Sequence, residues 1–159
     1  LDMFVCCCGG GGLMAGTALA LSEHFREAKL YTAEPDGLDD TARSLAVGTR
    51  QTNDPSARSI CDAIVTPSPG LLTFPIVQSK AAGGKVVSDE EALSAMKTAW
   101  DYFKLTVEPG GAVALAASLK QEVIDSHTGD KRKTVVAILS GGNCDHAIFA
   151  QALAAPALI

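Results

Sequence analysis

Apolar and polar positions along the chain fall into two alternating rhythms. Met3-Phe4-Val5-Cys6-Cys7 is a short apolar run that reads as a β-strand and ends at Gly9-Gly10-Gly11-Gly12. From Leu13 to Glu27, Ala and Leu recur at helical spacing. Lys29 to Ala33 predicts a second strand, closed by the turn Glu34-Pro35-Asp36-Gly37, because Pro fixes φ and Gly accepts left-handed geometry. A helix from about Asp39 to Ala46 follows. Gly48 to Pro69 is rich in Thr, Asn, Asp, Pro and Ser, and only Ile60 to Val65 has strand character.

Leu71 to Ala81 predicts a helix with Pro75 in its first turn, where the missing N–H does no harm. Lys85 to Val87 is a short strand. Ser88 and Glu91 form a capping box, opening a helix that puts Ala92, Met96, Ala99, Trp100 and Phe103 on one face, a core stripe. Glu108-Pro109-Gly110-Gly111 interrupts, and Ala112 to Ile124 resumes as an Ala-rich helix. Thr134 to Leu139 is a continuous β-branched run, the pattern of a strand buried on both faces. It ends in Ser140-Gly141-Gly142-Asn143, and a last helix covers roughly Asp145 to Ala154. Strands alternating with helices predict an α/β domain with a mainly parallel sheet.

Composition narrows the function classes. A chain of 159 residues with 47% hydrophobic and 19% charged residues has core material for one domain and is not generally disordered. The net charge of −5 and the scatter of the 13 basic residues argue against a nucleic-acid or anionic-membrane surface. The densest basic run, Lys131-Arg132-Lys133, reads as a solvated turn before a strand. No stretch is long and apolar enough to span a bilayer, and Leu1 to Leu21, broken by glycines and lacking a basic leader, fails as a signal peptide. The five cysteines include no paired CxxC set for zinc, so free thiols and a cytoplasmic setting are expected. The chain begins without Met and runs straight into a strand, which reads as the start of a fragment.

In parallel sheets, ligands bind beyond the carboxyl ends of the strands. Two glycine-rich loops fall there, Gly9 to Gly12 and Ser140 to Asn143. The first can converge backbone N–H groups on an anion at a helix N-terminus; the alternative is a flexible turn, which needs fewer glycines. Gly10-Gly11-Gly12-Leu13-Met14-Ala15 also matches the G-x-G-x-x-A dinucleotide fingerprint, with Glu34 near the ribose-binding position; Glu34-Pro35 is equally an ordinary strand-ending turn. Ser140 shifts the balance. At a strand end it can offer a hydroxyl to an aromatic ring nitrogen, and a phosphorylated pyridine needs both that partner and a phosphate pocket. The alternative for this loop is a turn capped by Asn143 or Asp145. His24, His127 and His146 lack a paired Asp or Cys at catalytic spacing and read as surface or core residues.

Gly9 to Gly12 with Leu13, then Ala33-Glu34-Pro35, Glu108-Pro109-Gly110-Gly111-Ala112 and Ser140-Gly141-Gly142-Asn143 resemble, in order and spacing, the signature of serine/threonine dehydratases and serine racemase. Asp39-Asp40 and Thr73-Phe74-Pro75-Ile76 fit the same pattern. The resemblance runs from about Val5 to Asp145. It implies a fold type II pyridoxal-phosphate enzyme, tryptophan synthase β-like, with a three-layer architecture of helices on both faces of the sheet. Residue by residue, it implies that Gly9, Gly10, Gly11, Gly12 and Leu13 bind the cofactor phosphate. Ser140, with Gly141 and Asn143 shaping its loop, would meet the pyridine nitrogen, and Glu108 would stand near the catalytic centre. Glu34, Asp40 and the carbonyl of Leu38 match a site for magnesium, manganese or calcium in metal-dependent members, a hard-oxygen set; the alternative is acidic residues charging the first turn of a helix.

The family's cofactor lysine lies in a Ser-x-Lys-x-Arg-Gly segment, and Ser79-Lys80-Ala81 has no such context. A nucleophilic lysine must be desolvated and positioned, so residues 1–159 are expected to be the C-terminal, cofactor-binding portion, inactive alone. Cys61-Asp62-Ala63 carries Ala where many relatives have glycine. The resemblance implies deamination of L-threonine or L-serine to a 2-oxo acid and ammonia in the intact enzyme, a homodimer acting on a small amino acid. Serine racemisation, an NAD-binding domain and a non-catalytic binding remnant are the alternatives.

Overall fold

The computed structural model describes residues 1–120, 123 and 133–159. Four strands, β1 (Met3–Cys7), β2 (Lys29–Pro35), β3 (Gly83–Val87) and β4 (Val135–Ala137), form an all-parallel sheet in the order β3-β2-β1-β4. The helices are α1 (Gly12–His24), α2 (Asp40–Val47), α3 (Thr73–Lys80), α4 (Asp89–Thr98), α5 (Pro109–Ser118) and α6 (His146–Ala154). Alternation along β1 divides the core. Met3, Val5 and Cys7 pack with Ala92, Met96, Val113 and Ala152 of α4, α5 and α6. Phe4, Cys6 and Cys8 pack with Met14, Ala18 and Val77 of α1 and α3. The result is the three-layer α/β architecture predicted from the sequence. Each fully buried Met or Val in these layers contributes about 1.5–3 kcal/mol. Among the described residues, no helix is long and apolar enough to cross a membrane, and all five cysteines are free thiols.

Several expectations need correction. Ile60 to Val65 is no strand; Asp62–Ile64 forms a single 3-10 turn. The Asp89 carboxylate accepts from the Ser59 hydroxyl at 2.6 Å and from Ile60 N–H at 3.2 Å, and Ile64 N–H donates to the Cys61 carbonyl at 3.0 Å. Those bonds occupy the groups a ladder would use. The Thr134–Leu139 run yields only three strand residues, part-exposed rather than buried on both faces, because β4 lies at the sheet edge. The apolar stripe of α4 holds for Ala92, Met96 and Ala99, but Trp100 is 37% and Phe103 55% exposed. A π-type turn, Ala99–Phe103, widens the helix there and rotates them out of the core. Trp100 instead meets Phe149 of α6 edge-on, with ring centroids 5.6 Å apart. The Ala-rich helix starts earlier than predicted, with Pro109 in its first position. Its predicted end at Ile124, the turn residues Lys131 and Arg132, and His127 lie outside the described residues.

The capping box is present: Glu91 N–H donates to Ser88 Oγ at 3.2 Å, and Ser88 N–H to Glu91 Oε2 at 2.8 Å. Ser88→Ala is expected to cost about 1 kcal/mol, read as a lower urea midpoint at unchanged slope. An unchanged midpoint would show that packing alone holds the start of α4.

Candidate functional site

Two loops meet at the carboxyl end of the sheet because β1 and β4 are neighbours in register, Met3 opposite Val135. The first, Gly9 to Gly12, leads into α1, with Gly11 at φ +86° as the residue before the helix. The second begins at Ser140. Ile138 N–H donates to the Val5 carbonyl at 3.1 Å, which carries the pairing beyond β4 and delivers Ser140 beside Cys7, with Sγ and Oγ 3.0 Å apart. Between the loops lies a cavity of about 250 Å³, lined by residues including Gly9 to Gly12, Cys7, Ile64, Glu108 and Ser140.

Local geometry explains the four glycines differently. A Cβ on Gly9 would stand 3.0 Å from the Ile64 carbonyl oxygen, and one on Gly11 2.9 Å from Thr73 Oγ1. A Cβ on Gly10 or Gly12 would meet nothing within 4 Å, although both residues line the cavity. Within the chain, then, nothing forbids a side chain at those two positions. The loop is pinned from α3: Thr73 Oγ1 donates to the Gly10 carbonyl at 2.5 Å and Gly70 N–H to the same oxygen at 3.2 Å. The first turn of α1 leaves N–H groups without intrahelical acceptors, at the positive end of the helix dipole. On the other wall, Glu108 N–H donates to the Gly141 carbonyl at 3.2 Å. Gly141 sits at φ +78°, and a Cβ there would lie 2.1 Å from Glu108 Oε1.

Away from this cavity, Glu34 and Asp40 are buried, 0% and 1% exposed. Glu34 closes β2 and caps α2, accepting Thr41 N–H at 2.8 Å and Ala42 N–H at 2.7 Å. Burial nevertheless pushes its carboxyl up to about 8, with the two N–H groups opposing and Asp40 adding to the rise. Asp40 is raised as well, by burial, against the hydrogen bond from Asn53. That bond, Asn53 Nδ2 to Asp40 Oδ1, measures 2.5 Å, while Asp40 Oδ2 is buried without a partner. Among the described residues, no group of three or more His, Cys, Asp or Glu side chains is placed to hold a metal. Two carboxylates with one orphaned oxygen still have the donor chemistry of a hard cation site, provided that carbonyls or water complete the shell.

Residues 1–141 match the family described as pyridoxal-phosphate dependent enzyme. The chain belongs to that family. Among curated relatives it is 40% identical over 146 residues to the serine racemase of Dictyostelium discoideum, covering 91% of this chain and 44% of the relative. The crystal structure of that racemase superposes with a TM-score of 0.81 over 91% of this chain and 45% of its own. The crystal structure of a threonine deaminase from T.th. gives 0.81 at 34% identity, over 90% of this chain and 46% of the other. A beta-hydroxyaspartate dehydratase of Paracoccus denitrificans is 34% identical over 145 residues, 91% of this chain and 44% of that relative. The chain thus spans less than half the length of the relatives it matches, and their architecture is fold type II.

Tested against the family's cofactor, the cavity fits: Gly10 and Gly12 leave open a space that a Cβ would fill, and a hydroxyl stands across from them. The structure brings together Gly9, Gly10, Gly11, Gly12, Leu13, Glu108 and Ser140. It does not bring in Asn143, which is exposed and outside the cavity lining, or Gly141, which reaches the cavity only through its contact with Glu108. His24 and His146 are exposed. Sequence reasoning missed Cys7, whose place opposite Ser140 depends on strand order. It also missed the hydroxyl of Thr73, for which the only signal was its position at the start of a helix.

Proposed function

We propose that residues 1–159 are the C-terminal portion of a pyridoxal-phosphate enzyme acting on L-serine or L-threonine. The reaction proposed is β-elimination, giving a 2-oxo acid and ammonia. One observation carries the reading: the Gly9–Gly12 loop and Ser140 face a single cavity at the carboxyl end of a parallel sheet. When bound, pyridoxal phosphate supplies an electron-withdrawing ring that acidifies the α-C–H of an attached amino acid. Around it, the N–H groups of the Gly loop and of the first turn of α1 hold the phosphate. Ser140 presents a neutral hydroxyl to the ring nitrogen, and Glu108 borders the ring from the N-terminus of α5. The carboxylates of Glu34 and Asp40, with the Leu38 carbonyl, would take magnesium, manganese or calcium. Among the described residues no lysine lines the cavity; we assign the amine to the part of the protein that corresponds to the other half of the relatives.

The test uses Gly10→Ala. The new methyl meets nothing in the chain itself, so stability should hold, whereas a phosphate in the cradle would lose one charge-assisted hydrogen bond or more. Affinity for pyridoxal phosphate, read by fluorescence titration, should fall about tenfold to a hundredfold. Equal affinity in the variant, or NAD displacing pyridoxal phosphate, would overturn the phosphate-cup reading. Serine racemisation is the second reading, favoured by the 40% identity to a serine racemase. Assay of the full-length protein with L-serine separates the two: a 2-oxo acid marks elimination, and D-serine marks racemisation.

A further inference from the structure

We infer that Cys7 is a positioning residue for Ser140, its thiol donating to Oγ so that the hydroxyl's own proton faces the cavity. The inference rests on the reading of Ser140 as the ring-nitrogen donor. A serine hydroxyl has one proton and two acceptor lone pairs. Left alone its rotor has three staggered settings, and the proton points at the ligand in only some of them. Cys7 removes that freedom. Its Sγ lies 3.0 Å from Ser140 Oγ, within the sulfur range, and both residues line the same cavity. Either atom can in principle donate, but the alternatives have opposite consequences. If Ser140 donates to Cys7, only a lone pair faces the ring, which suits a protonated nitrogen. If the thiol donates to Ser140, the hydroxyl proton is free to go to an unprotonated nitrogen.

Hydrogen bonding with the Cys6 side chain draws the ionisation of Cys7 down, while burial and the nearby Glu108 carboxylate oppose a thiolate. A thiolate would take the Ser140 proton, so the donor reading of Ser140 requires the thiol. Strand alternation makes the arrangement specific. Cys6 and Cys8 belong to the opposite core layer, with Met14 and Ala18, whereas Cys7 faces the layer of α4 and α5. Of the three adjacent cysteines, only the middle one is hydrogen-bonded to Ser140.

The probe is deoxypyridoxine phosphate, which has no aldehyde and so needs no lysine, with a nitrogen label in its ring. Its nitrogen NMR shift and its affinity are measured with the wild-type chain and with Cys7→Ala, Cys7→Ser, Cys6→Ala and Ser140→Ala. Cys7→Ala should weaken binding about fivefold, the worth of one neutral hydrogen bond. It should also move the ring signal toward that of Ser140→Ala. Cys7→Ser, which retains a donor at the same place, should restore both. Cys6→Ala makes the same truncation on the other face of the strand and should leave the ring signal unmoved, which separates positioning from loss of core packing. A ring signal unchanged in Cys7→Ala while Ser140→Ala shifts it would overturn the role of Cys7 alone. A signal unchanged in both would remove the Ser140 reading as well. A ring nitrogen protonated in the wild type would reverse the direction of the hydrogen bond and overturn the inference.

Discussion

Gly111→Ala is expected to cost the folded chain about 3 kcal/mol or more, the largest effect of any single methyl group considered for this fold. Gly111 lies in the first turn of α5, and a Cβ there would stand 1.5 Å from the Ser140 carbonyl oxygen, 2.7 Å from its carbonyl carbon and 3.0 Å from Val107 Cγ1. Two of those atoms are backbone, and they cannot swing aside as a side chain would. The Ser140 backbone follows directly on the extension of β4 that Ile138 makes to Val5. Room for the methyl would have to come from displacing that segment, and with it the hydroxyl opposite the glycine loop. The variant should therefore lose stability and pyridoxal-phosphate affinity together. Gly110→Ala is the internal control: its Cβ would approach Ile64 Cγ1 at 3.4 Å, ordinary contact, and should change the urea midpoint by less than about 1 kcal/mol. Equal midpoints for the two variants would show that α5 does not press on Ser140.

The second large effect is a dependence of stability on pH. Glu34 stays protonated in the folded chain up to about 8 because of burial, but ionises near 4.5 when unfolded. Between those values the unfolded state binds fewer protons than the folded one. The contribution of Glu34 is fully present below 4.5 and is lost as pH rises toward 8, with a limiting slope of about 1.4 kcal/mol per pH unit. Asp40 is shifted in the same direction. Denaturation midpoints in metal-free buffer should fall across this window, and Glu34→Gln should flatten the curve. Calcium, manganese or magnesium, if held by the two carboxylates as proposed, should oppose the fall by favouring their charged forms. A flat wild-type profile without metal would mean that the two N–H groups of α2 outweigh the burial of Glu34.

The parts of this molecule set by local chemistry could be read from its sequence. The capping box at Ser88, the break at Gly9 to Gly12 and the alternation of strands with helices depend on neighbours a few residues apart, and each leaves a sequence pattern. The core stripe of α4 was legible as far as Ala99. Beyond it the π-type turn rotates Trp100 and Phe103 outward, and a period of 3.6 residues has no means of anticipating that shift. Ile60 to Val65 has strand-forming side chains, but the carboxylate of Asp89, far along the chain, engages the backbone next to it. The glycine loop and Ser140 could each be singled out separately. That Cys7 stands between them follows from β1 and β4 being adjacent, a property of strand order that no local pattern encodes. The Glu34 and Asp40 pair was legible as residue types, whereas their complete burial was not.

The pairing of β1 with β4 also has a kinetic consequence. Met3 pairs with Val135, and Cys7 meets Ser140 across 133 positions of sequence, so the cavity closes only when nearly the whole chain has been drawn into a ring. The entropy of closing such a loop must be met before its contacts give anything back, whereas β1, β2 and β3 join through much shorter connections. Only three residues of β4 hold the far wall, on an edge with a part-exposed strand. Assembly should therefore finish at the cavity, and transient opening should begin there, parting Ser140 from the glycine loop while the other three strands stay paired.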